Sequence, residues 1–112
     1  MSIPLVPPRQ ITDAEAGVIT QALIVAPLID VSADLLASIP SLHVMARCGC
    51  GCDSVDFTRT TSITRLADST GTAPSGDHVG VIVWGTTLGV EALEVYNYSD
   101  QPACLPVVAS ML

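Results

Sequence analysis

The sequence predicts an α+β domain: two N-terminal helices packed on a four-stranded, mostly antiparallel sheet. Three observations carry this reading. Thr12-Asp13-Ala14-Glu15 is a capping-box pattern followed by apolar residues at helical spacing. A second short helical segment stands between Ser32 and Pro40. After Leu42 the apolar period changes from helical to two, and four strand-like runs follow.

In the first helix Ala16, Ile19, Ala22, Leu23 and Ala26 share one face, and Pro27 ends the segment because its ring cannot continue the hydrogen-bond ladder. Ser32 is the N-cap expected for the second helix, and Pro40 its stop. Residues 1–10, rich in proline, are expected to form a flexible arm, with residues 11–112 as a single domain.

Leu42, Val44, Ala46 and Cys48 alternate with His43, Met45 and Arg47, as in a half-buried strand. Glycine-rich residues 48–52 form the turn of a hairpin whose second strand carries Val55 and Phe57. Residues 60–77 are rich in Ser, Thr, Gly, Asp and Pro and read as a long loop. Val79 to Trp84 is apolar on both faces and is expected to be a central strand covered on both sides. Val90 to Tyr98 is the fourth strand. Leu93 and Val95 face the core there, while Ala92, Glu94, Tyr96 and Tyr98 line the opposite face. A simple meander through these four strands is the expected order.

Composition bounds the function. The chain has 112 residues, a net charge of −7 and four basic residues, all arginine. Nucleic acid and anionic membrane surfaces need a basic patch, which four scattered arginines do not make. The longest apolar run, residues 22–29, is too short to span a bilayer, and no basic start precedes an apolar stretch; a cytoplasmic protein is expected. The chain is 49% hydrophobic and only 13% charged. A small domain has little interior in which to hide so much apolar surface, so a homodimer is the expected assembly.

Cys48-Gly49-Cys50-Gly51-Cys52 is the most unusual stretch. Three readings compete. Cys48 continues the core parity of Leu42, Val44 and Ala46, so the thiols can be small buried apolar groups around a glycine turn. Soft thiolates also suit Zn(II) or Cu(I), which makes Cys48, Cys50 and Cys52 a candidate metal site, although structural zinc usually takes four ligands in C-x2-C pairs. In a meander Cys104 falls at the far end of the sheet. A thiol oxidoreductase is the weakest reading, since nothing nearby lowers a thiol pKa. His43 and His78 read as unrelated surface histidines, and Asp53 and Asp56 as turn residues flanking the cysteines.

Tyr96 and Tyr98 form a candidate interface stripe, because aromatic residues concentrate at interfaces. Glu94 shares their face and could pair with Arg47 or Arg59. No phosphate-binding loop, nucleophile elbow, zinc-protease signature or dinucleotide fingerprint occurs. The expected function is therefore protein association rather than catalysis.

The order of motifs is distinctive: a capped helix, R-C-G-C-G-C-x-S-V-D-F, a polar stretch, L-E-V-Y-x-Y-x-D and a late Leu-Pro. It resembles an uncharacterised family of small bacterial proteins of actinobacterial type, over about residues 11–106. The segment 26–38 departs from that pattern. The resemblance implies the same fold and compartment and no activity.

Overall fold

Thr12 opens the first helix, α1 (Asp13–Val25), through both halves of a capping box. Its hydroxyl accepts from the Glu15 amide at 3.1 Å, and Glu15 Oε1 accepts from the Thr12 amide at 3.0 Å. The computed structural model describes residues 9–47, 54–57, 63–98 and 103–111, and every structural statement below concerns these. Val18, Ile19, Ala22 and Leu23 form the buried face of α1. The Ser32 hydroxyl caps α2 (Ala33–Ser38) by accepting from the Leu35 amide. A single 3-10 turn follows at Ile39–Ser41, and Leu35 and Ile39 anchor this unit in the core.

Seven strands follow the chain: β1 (Arg9–Gln10), β2 (His43–Val44), β3 (Ala46–Arg47), β4 (Val55–Asp56), β5 (Thr64–Thr72), β6 (His78–Thr86) and β7 (Gly89–Asn97). β1 pairs antiparallel with β2, so the last two residues of the expected arm are a strand; residues 1–8 lie outside the described residues. The main sheet has five strands in the order β3-β4-β7-β6-β5, all antiparallel. The α+β class holds, while the expected four strands become five.

The largest correction is β5. Its residues read in sequence as a loop, yet eight of the nine pair with β6, the exception being Leu66 at a bulge between Arg65 and Ala67. The reason is visible in its neighbours. The core-facing positions after the bulge are Ala67, Ser69 and Gly71, small residues that give no apolar alternation. At Gly71 the cause is the close approach of other chain. A Cβ on Gly71 would come within 2.7 Å of Pro106 and 2.8 Å of Met111. The hairpin from β5 to β6 turns at Gly76, whose φ of +95° favours glycine.

A second correction concerns strand order. β4 pairs with β7, not with β6, so β4, β7, β6 and β5 follow a Greek-key order instead of a meander. The expected first strand is divided: β2 belongs with β1, and β3 with the main sheet.

Val79, Val81 and Val83 of β6 face Val95 and Leu93 of β7 and the buried side of α1. The C-terminal segment reaches this same side. Gln21 of α1 donates to the Met111 carbonyl, and Met111 is fully buried. The helices and the C-terminal segment thus cover one face of the sheet. No described element packs on the other, so among the described residues β6 is covered on one face, unlike the doubly covered strand expected. Among the described residues no helix is long and apolar enough to cross a membrane.

Candidate interaction surfaces

The strand register defines what stands on the uncovered face. Across β5, β6 and β7 the rows are Thr70, Gly80 and Tyr96, then Asp68, Ile82 and Glu94, then Arg65, Trp84 and Ala92, with Asp56 of β4 beside Ala92. Ile82, Trp84 and Tyr96 are half-buried, and Tyr98 is 61% exposed.

Glycine at position 80 positions the aromatic group. The Tyr96 ring lies across Gly80, where any Cβ would fall inside it. Tyr98 meets Tyr96 edge to face, with ring centroids 5.4 Å apart and planes at 73°. His78 stacks on Tyr98 at 5.6 Å. The two phenol oxygens are 3.5 Å apart. The Tyr96 pKa is pushed up to about 12, first by its hydrogen bond with Tyr98, then by burial and by the negative charge of Tyr98, Asp68 and Glu94. Glu94 is held by Trp84, whose indole N–H donates to Oε1 at 3.1 Å. The stripe expected at Tyr96 and Tyr98 is therefore one end of a wider face. The sequence pattern does not mark Trp84 and Ile82, because apolar residues on both faces of β6 read as a doubly covered strand.

A second surface lies along the β5 edge. The chain leaving α1 runs beside it: the Leu28 amide donates to the Leu66 carbonyl, and the Asp68 amide to the Ala26 carbonyl. At the other end the Val107 amide donates to the Thr72 carbonyl, and the Ser110 hydroxyl accepts from the Thr72 amide. Val108 touches the α1 backbone at Gly17, at 3.2 Å from where a Cβ would stand. Ile24, Val25, Leu28, Val107 and Val108 are all exposed on these segments, Ile24 by 61% and Leu28 by 55%. Residues 16–29 and 103–111 contain no charged side chain.

The cysteine proposal falls elsewhere. Cys48, Cys50, Cys52 and Asp53 lie outside the described residues. The strands on either side do pair as the expected hairpin, with Arg47 opposite Val55, and Ser54 Oγ is fixed between the amide and the carbonyl of Val95. Cys104 is an exposed free thiol. Among the described residues no three His, Cys, Asp or Glu side chains cluster to hold a metal. His43 and His78 are both exposed and stand in different sheets. Asp56 is exposed on the uncovered face.

No protein-family model matches the chain, and neither the curated proteins nor the solved structures contain a match to it.

Proposed function

We propose that the protein acts by protein association, and that its first partner is a second copy of itself meeting along the β5 side. The observation that carries this is the gathering of Ile24, Val25, Leu28, Val107 and Val108 there, five of the seven large hydrophobic side chains exposed among the described residues. A helix apolar nearly all round belongs inside a larger body, yet α1 buries only one face within the chain. Interface cores are depleted in charge, as this side is. The main-chain groups of β5 are already occupied at Leu66, Asp68 and Thr72, which favours side-chain packing over sheet extension.

Sedimentation equilibrium tests the reading. The wild-type chain is expected to be dimeric at about 10 μM, within the range that standard interfaces support. Ile24→Asp combined with Val108→Asp is expected to give a monomer with an unchanged far-ultraviolet dichroism spectrum. A monomeric wild type, or a variant that remains dimeric, overturns the proposal.

A further inference from the structure

The uncovered sheet face has a different chemistry from the β5 side, and the dimer makes no use of it. It combines aromatic rings with an excess of negative charge. Its described side chains include three carboxylates, Asp56, Asp68 and Glu94, and one guanidinium, Arg65. We propose that this face binds a cationic segment of a partner protein, one bearing arginine or lysine, over Tyr96 and Tyr98.

Three observations on the face converge on that occupant. The first is geometric. Tyr96 turns one ring face onto Gly80 and meets Tyr98 edge to face, so two phenol rings stand at 73° as adjoining walls of a shallow corner. A cation within about 6 Å of a ring centroid is attracted to the negative ring face, and guanidinium also stacks on it. The second is charge. Asp68 and Glu94 stand on either side of Ile82, one row from Tyr96, and both lie close enough to help hold its phenol protonated. Carboxylates beside aromatic rings match both parts of an arginine side chain. The third is an example from within the face. Arg65 places its guanidinium 3.4 Å from the Asp68 carboxylate, with the two side chains 54% and 37% exposed. An exposed pair of this kind is weak and exchanges readily for an incoming cation. A like face from a second copy would bring the same three carboxylates together, so charge favours a basic partner over self-association here. The chain contains no lysine and only four arginines, so its own composition offers few cations to saturate the face.

The test uses the full-length protein and a hexa-arginine peptide, with hexa-glutamate as the opposite-charge control. Trp84 is the only tryptophan and stands on this face, so its fluorescence reports occupancy directly. Hexa-arginine is expected to change the Trp84 emission saturably, and hexa-glutamate to leave it unchanged. Tyr98→Ala is expected to weaken binding about 2–5-fold, the size of an exposed cation–π contact. Asp68→Asn with Glu94→Gln is expected to weaken it by at least about 3-fold, the scale of paired surface charges. Asp13→Asn with Asp34→Asn removes the same number of charges from the helix starts and is expected to leave binding intact. A Trp84 signal that does not respond, or a helix-start control that weakens binding as much as the face variant, overturns the proposal. The outcome is independent of the dimer: the Ile24/Val108 variant is expected to bind hexa-arginine as the wild type does.

Discussion

Tyr96 and Tyr98 are the only tyrosines, and their coupling is open to direct measurement. Tyr96 is held neutral first by its hydrogen bond with Tyr98, then by burial and nearby negative charge, which raises its pKa from 10.0 to about 12. Between those two values the folded chain keeps a proton that the unfolded chain releases. Stability therefore falls as pH rises through that window, and this contribution is complete only below pH 10.0. Ultraviolet titration of tyrosinate is expected to show one phenol ionising near 12 in the wild type. In Tyr98→Phe the remaining phenol is expected to ionise closer to 10.0, because the first cause of the shift is gone. An unmoved titration in that variant would assign the shift to burial and the Asp68 and Glu94 carboxylates. Glycine at position 80 belongs to the same unit, since only a residue without a side chain lets Tyr96 lie flat on the sheet.

At the scale of elements, the strongest control on β5 is the strap of chain that closes its outer edge. A nine-residue edge strand with free main-chain groups invites pairing with another molecule. Here the α1 exit takes the Leu66–Asp68 stretch, and the C-terminal segment takes Thr72 from both its amide and its carbonyl. Val107 has φ −70°, which proline adopts without strain, so Val107→Pro removes the amide that bonds Thr72 and little else. The expected loss is about 0.5–1.5 kcal/mol in urea unfolding. No loss would mean that the strap does not hold the edge. This element also shows where sequence reading stops. The helices were legible because Thr12, Ser32, Pro27 and Pro40 act locally, through caps and stops that need no partner. β6 and β7 were legible because Val79, Val81 and Val83, and likewise Leu93 and Val95, repeat at the strand period on a buried face. β5 was not, because its core-facing positions Ala67, Ser69 and Gly71 carry no large apolar alternation, and Gly71 is small in answer to Pro106 and Met111, residues distant in sequence. The Greek-key order was hidden for the same reason, since the pairing of Val55 with Leu93 is a long-range choice with no local signature. The Tyr96–Tyr98 stripe was legible by parity, but Trp84 and Ile82 joined it only once one face of β6 proved uncovered.

For the whole molecule, the two surfaces divide the chain's unusual composition between them. The uncharged apolar residues gather along α1 and the C-terminal segment, while aromatic and acidic residues share the uncovered face of the sheet. This division makes salt a discriminating variable. Exposed charges more than a Debye length apart are screened, and that length shrinks from about 10 Å at 0.1 M salt to about 3 Å at 1 M. Apolar burial is not weakened by such screening, and sulfate strengthens it. Raising sodium sulfate is therefore expected to hold or strengthen the dimer in sedimentation equilibrium while releasing hexa-arginine from Trp84 in fluorescence. If the two events instead moved together, a single surface would serve both, and the assignment of the apolar side to self-association and the acidic aromatic face to a basic partner would fail. Opposite responses within one protein sample follow only if association has been separated in space by side-chain chemistry, α1 and Val107–Val108 on one side and Tyr96, Tyr98, Asp68 and Glu94 on the other.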